Sequence, residues 1–325
     1  MKQGKRILLA TASAVVISLG FGGGAMAADL GGPTYKPAMP IPQARTISGT
    51  AGIFGSHSWL DPESCCDVEE NPWSVGGEAL IDIPLSDRAS LQIDQYGEAM
   101  LSDQSTSEDY TGGYLAGVHL NTRVRDQYLF GVFGGGGRLH FASTEDDAYN
   151  TWLVGVEGQL YRNNTTFYGQ VGYTDSDAND FDADNNGHEV MAEAWFLRGV
   201  IRHYTNGGNT KLEGELGYAS GQNDCSCYAS DPTDDVDMIA WGVELEHVIR
   251  SFGNDGFVSA YARYQGQYYD EDVTGGTDDD ATAHTFMVGI KMDMNQLNPF
   301  TRERTGAAVD LPDLNRWIGH SRLVE

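Results

Sequence analysis

The sequence predicts an all-β fold, a single-chain antiparallel transmembrane β-barrel of about twelve strands with short periplasmic turns and longer extracellular loops. Three observations carry this expectation. Apolar and polar residues alternate at period two along most of the chain, the connections alternate between short and long, and opposite charges collect at the two kinds of connection.

The chain opens with an export signal. Lys2, Lys5 and Arg6 precede a mostly apolar run from Ile7 to Phe21, and Ala25-Met26-Ala27 closes it as a small-residue cleavage site, so residues 1–27 read as a cleaved signal peptide. No later apolar run reaches the ~20 residues that a membrane helix needs. Residues 28–44, with Pro33, Pro37, Pro40 and Pro42, read as an extended N-terminal lead. Residues 45–294 form the barrel, and 295–325 a periplasmic C-terminal tail carrying Arg302, Arg304, Arg316 and Arg322. That tail could plug the barrel, meet peptidoglycan or a partner, or stay unfolded, and its sequence does not choose.

Period identifies the strands. Trp152, Val154, Val156, Gly158 and Leu160 share one face of an extended segment, and Thr151, Glu157, Gln159 and Tyr161 the other. From Ile239 onward Trp241, Val243 and Leu245 oppose Glu244 and Glu246 in the same way. Applied throughout, the pattern gives strands near residues 45–58, 74–85, 89–102, 110–122, 127–141, 149–162, 165–176, 190–204, 210–221, 236–249, 256–269 and 282–294. Each exceeds the ~9–11 residues of a tilted barrel strand.

The connections then sort. Short ones include Ser86-Asp87-Arg88, Asn163-Asn164, Thr205 to Asn209 and Ser251 to Asp255, whose Asn and Gly residues supply the positive φ of tight turns. Six longer ones, near 60–73, 103–109, 142–148, 177–189, 222–235 and 270–281, are acidic and hold no Lys or Arg. Arg88, Arg123, Arg125, Arg162, Arg202, Lys211 and Arg250 gather at the short-turn end instead. Such sorting suits a membrane between the two ends, and a net charge of -27 excludes nucleic acid as a partner. Trp59, Trp73, Tyr110, Tyr149, Tyr173, Trp195, Tyr218 and Tyr268 fall near loop-proximal strand ends, as an interfacial aromatic girdle would.

Ala28-Asp29-Leu30 with its Pro-rich lead resembles the mature start of alphaproteobacterial porin-like outer-membrane β-barrel proteins. The last strand, Met287 to Met294, resembles the barrel-assembly signal of such proteins, with Met292 and Met294 where aromatics usually stand. The resemblance covers residues 45–294 and singles out no member. It implies the cell outer membrane, its lipid and lipopolysaccharide and the barrel-assembly machinery as surroundings, with an assembly of identical chains left open. An autotransporter translocator is the other twelve-stranded resemblance, but only Asp29 to Ala44 stands where a passenger would be.

Extending the alternation inward puts Glu78, Asp82, Asp94, Glu98, Glu157, Glu213, Glu215, Glu244 and Glu246 toward the lumen with Arg198, Arg202, Lys211, Arg263 and Lys291. Buried charges need water or partners. Either water fills a pore, or the two signs cross-link a plug. The first expectation is an acidic channel passing small cations or small hydrophilic solutes. The alternative is a closed structural or surface-contact barrel whose acidic loops bind divalent cations.

Cys65, Cys66, Cys225 and Cys227 read first as two disulfides tying two loops together, with thiol capture of copper or zinc as the rival. Asp182, Asp184 and Asn186, followed by Gly187 and Glu193, match the spacing of a calcium loop but lack its flanking helices. Diffuse calcium or magnesium binding by the acidic loops is the simpler expectation, and no cofactor is required. A lipid-modifying outer-membrane hydrolase would need a Ser/His pair. His57 with Ser58 and His140 with Ser143 are the nearest pairs; the first are strand neighbours that face opposite ways, and the second are three apart with no evident orienting partner, so no catalytic residue is assigned.

Overall fold

The alternation resolves into twelve antiparallel strands in the computed structural model of the chain, which describes residues 46–62, 71–101, 110–124, 127–141, 148–177, 190–223, 234–272 and 279–321. They are β1 (Ser48–Pro62), β2 (Trp73–Pro84), β3 (Ala89–Met100), β4 (Tyr110–Val124), β5 (Tyr128–Phe141), β6 (Ala148–Arg162), β7 (Thr165–Ser176), β8 (Met191–Thr205), β9 (Thr210–Asn223), β10 (Asp234–Ser251), β11 (Gly256–Asp272) and β12 (Asp279–Met294). Each pairs with its sequence neighbours, and β1 closes on β12 from Gly49↔Met294 to Pro62↔Ala281. Closure leaves no sheet edge, which hydrocarbon demands because an unpaired backbone group there costs several kcal/mol.

The two faces differ as the period requires. Val156 is 46% exposed while Glu157, the next residue, is 2% exposed. Ile53, Val118, Val132, Val154, Leu197, Val243 and Ile290 extend the apolar outer surface around the barrel. A closed barrel that is apolar outside and charged inside is a membrane-spanning barrel.

The tight turns use the expected residues. Asn163, Asn206 and Gly207 all have positive φ, at 52°, 52° and 67°. In β5 the four glycines let β4 pass close, since a Cβ on Gly135 would stand 2.6 Å from the Ala116 carbonyl oxygen.

Trp59, Trp73, Tyr173 and Trp195 face outward as girdle residues should. Tyr110 and Tyr149 do not. They are 5% and 7% exposed and turn into the lumen. A bulge between Tyr110 and Gly112 reverses the side on which Tyr110 emerges, and Tyr149 is in phase with the inward Thr151 and Leu153.

Of the outcomes the sequence leaves open for the tail, the structure has the plug. The tail turns back at Asn295, whose φ is 59°, and residues 299–321 lie inside the barrel. Helix α1 (Pro299–Thr305) starts with a reciprocal cap: the Thr301 amide donates to Asn298 Oδ1 at 2.9 Å and the Asn298 amide to Thr301 Oγ1 at 3.0 Å. An extended stretch of residues 306–313 follows, then helix α2 (Leu314–Gly319).

An outward charge placed midway along β6 tests the membrane assignment. Val156→Arg is expected to lower folding stability in lipid vesicles by about 2–4 kcal/mol, read by denaturant titration of tryptophan fluorescence. An unchanged midpoint would show that this face does not meet hydrocarbon.

Candidate functional site in the lumen

The tail meets the wall through three successive zones. At the turn end, Arg302 on α1 lies between two wall carboxylates, 2.6 Å from Glu246 and 3.1 Å from Asp293. Arg304 lies 4.2 Å over the Tyr161 ring and donates to the Asn163 carbonyl at 2.8 Å. Glu303 accepts from Arg202 at 3.1 Å. An isolated buried charge is costly, so each of these side chains meets an opposite charge, or for Arg304 a ring face and a carbonyl, across the interface.

In the middle zone the extended stretch has no neighbouring strand, so wall side chains satisfy its backbone. Gln92 Oε1 accepts from the amides of Ala308 and Val309 at 3.0 and 3.3 Å, and its amide nitrogen donates to the Val309 carbonyl. Gln159 donates to Ala308 and Gln170 to Asp310, both at 2.9 Å. Asp94 accepts from the Leu311 amide at 2.6 Å. The Asp310 carboxylate joins Arg198 at 2.7 Å and Arg202 at 2.5 Å. Beneath it His119, fully buried, meets Glu157 at 3.0 Å.

The loop-end zone is apolar. Leu314, Trp317 and Ile318 of α2 are at most 1% exposed and pack with Leu115, Leu139, Met191, Phe196, Met238 and Tyr269. Gly217 on β9 makes room for the indole, since a Cβ there would lie 3.0 Å from Trp317. Tyr269 donates to the Trp317 carbonyl at 2.9 Å, and Arg316 reaches Glu98 at 2.5 Å. The amide of Met191, where β8 begins, donates to Ser321 Oγ at 2.8 Å. The tail therefore crosses the lumen from the turn end to the loop end.

Every strand residue assigned to the lumen by alternation does project inward. Glu98, Arg198, Arg202, Glu246 and Asp94 hold the tail directly. Others hold one another: Lys211 and Arg263 flank Glu244 at 2.7 and 2.5 Å, Lys291 meets Glu78 at 3.0 Å, Lys211 meets Glu213 at 3.0 Å, and Arg198 meets Glu215 at 2.8 Å. Asp82 is buried near the turn end opposite Ser48. Between the tail and the wall lies a cavity of about 90 Å³.

Reasoning from charge alone passed over Gln92, Gln159 and Gln170, neutral residues in the same inward phase, and Asp293 and His119. Ser58 is buried and bonded to Thr285, whereas His57 packs between Trp59 and Trp73, so the two do not meet. Cys65, Cys66, Cys225, Cys227, Asp182, Asp184, Asn186 and Ser143 lie outside the described residues.

No protein-family model and no curated protein sequence matches this chain. Among solved structures it is similar to an outer membrane channel from Pseudomonas putida F1, with 13% identity over 81% of this chain and 98% of that one at a TM-score of 0.48. It is also similar to the KdgM porin, with 9% identity over 74% and 97% at 0.38. The translocator domain of the autotransporter NalP from Neisseria meningitidis is similar at 12% identity over 75% and 87%, with a TM-score of 0.41. At identities this low the likeness is one of barrel outline.

Removing the arginine at the turn end leaves two carboxylates facing each other. Arg302→Ala is expected to weaken docking of α1 by about 3–5 kcal/mol, measured as faster amide hydrogen exchange across residues 299–305 with the strand amides unchanged.

Proposed function

We propose that the chain is an outer-membrane, porin-like channel for small hydrophilic solutes, with a preference for cations, and that its C-terminal segment closes the lumen in the conformation described here. The observation that supports this most is how the lumen is filled. A separable segment occupies it, joined to a charged wall by ion pairs and amide hydrogen bonds that water can replace. About eight strands can be filled by their own side chains, and about sixteen leave an open channel. Twelve leave a bore that a folded segment can both enter and vacate.

Cation preference follows from the balance of the wall. Inward carboxylates on the described strands, among them Asp94, Glu98, Glu157, Asp293 and the paired Glu244 and Glu246, outnumber the inward Lys and Arg. The tail does not change that balance, since Arg302, Arg304 and Arg316 are matched by Glu303, Asp310 and Asp313. Acidic walls concentrate cations.

A permanently closed structural barrel with cation-binding loops is the second reading. The dry apolar packing of Trp317 favours it, because such a stopper resists water. Planar-bilayer recording separates the two. The full chain is expected to show little steady conductance. A chain ended after Asn298, and the full-length Gly217→Leu variant that pushes against the indole, should each conduct with a reversal potential of cation sign in a salt gradient. If both insert as folded barrels and stay silent, the closed reading holds. An anion-signed reversal potential would overturn the cation preference alone.

A further inference from the structure

The charged lining of the cavity beside the tail is interrupted at a glycine. Gly242 of β10 faces inward between its register partners Glu215 of β9 and Gln265 of β11. Without a side chain at Gly242 a niche remains, floored by that residue and bordered by Glu213, Glu215, Glu244, Arg263 and Gln265. The niche opens on the larger cavity, which Glu213, Glu215, Arg263 and Gln265 also line.

Two of these charges differ from their neighbours in accessibility. The other charged side chains that border the niche, Glu213 and Glu244, are 7% and 1% exposed, while Arg263 keeps 20% and Glu215 12%. Each is also engaged on one side. Arg263 donates to Glu244 through Nε at 2.7 Å and Nη2 at 2.5 Å, which leaves Nη1. Glu215 accepts from Arg198 through Oε2 at 2.8 Å, which leaves Oε1.

We propose that this niche and the cavity beside it together bind a small zwitterionic solute of the amino-acid type, its ammonium on Glu215 and its carboxylate on Arg263. Size and charge both select it. The niche, at about 10 Å³, takes no more than one water-sized group such as an ammonium, and the cavity of about 90 Å³ on which it opens has room for the rest of a solute on the scale of glycine or alanine. The wall charges here are already paired, so a lone cation or anion would bring an uncompensated charge into a low-dielectric space. A zwitterion brings a matched pair, one end for each open hydrogen-bonding atom. Its ends complement polar groups that converge on one pocket, the usual makeup of a small-molecule site. As a substrate class this rests on the channel reading, but the binding itself needs no conduction.

Equilibrium binding of radiolabelled glycine to the full chain in detergent micelles tests it. Glycine should bind the folded chain and be displaced by excess alanine, but not by acetate or methylammonium at the same concentration. Glu215→Gln and Arg263→Gln should each weaken binding about tenfold or more. Gly242→Val should abolish it. A Cβ at Gly242 would meet the Tyr264 carbonyl at 3.4 Å and Gln265 Cγ at 3.6 Å, ordinary contacts, so the base of the new side chain fits between the strands. Heat-modifiable gel migration confirms that each variant is a folded barrel. Undiminished glycine binding by folded Gly242→Val, equal displacement by acetate, or no glycine binding to the folded full chain overturns the proposal. Conductance recorded without glycine reports the channel reading separately, so either can fail while the other stands.

Discussion

Each charge that faces the lumen must be hydrated or paired, and the rest of this molecule is arranged around that requirement. Twelve strands set a bore too wide for wall side chains to fill alone and narrower than an open sixteen-strand channel. On β8–β12 the wall partly solves the problem itself, with Lys211, Arg263 and Lys291 ranged around Glu244. On the same strands it gives Arg198 and Arg202 one wall carboxylate each, Glu215 and Glu213, and gives Glu246 and Asp293 only Lys211, 3.5 Å from Glu246, among the described wall residues. The tail supplies the missing signs, with Asp310 across the two arginines and Arg302 across the two carboxylates. Closure of the lumen is thus a consequence of charge pairing as much as of filling space.

Much of the barrel was legible in the sequence because a strand that meets lipid on one face and water or charge on the other cannot hide its period. Twelve strands, their alternating connections and the inward phase of residues such as Glu157 and Glu244 all follow from that one rule. Tyr110 escaped it because a bulge shifts phase locally and leaves no mark on composition. Tyr149 needed only a stricter count from Thr151. The destination of residues 295–325 was not legible for a different reason. Its arginines match wall carboxylates that lie far away in sequence, as Arg316 does with Glu98 and Arg302 with Glu246. Pairings of that kind exist only after the barrel has closed. The three glutamines that hold the extended stretch were invisible to an argument built on charge, although their phase alone put them inside.

The two ends of the tail are held by different physics, and this sets the order in which they can release. Buried ion pairs gain little net free energy, because desolvation offsets most of their attraction. They fix register, and when the tail leaves, water solvates both partners. The apolar end has no such compensation. Burying Trp317, Leu314 and Ile318 contributes on the order of 1.5–3 kcal/mol per side chain, so α2 carries much of the docking free energy. Position weighs the other way. Helix α1 follows β12 after only residues 295–298, and a tether that short keeps Arg302 at high effective concentration beside Glu246 and Asp293 even when the pairs break. Helix α2 has no comparable covalent tether, since the extended stretch before it is held by hydrogen bonds from Gln92, Gln159, Gln170 and Asp94 and by the Asp310 ion pairs, all of which water can replace. Release of the tail, which the proposed channel requires, would therefore start at the loop end, where one apolar contact set must be lost at once, and would leave the turn-end anchor in place to bring the segment back.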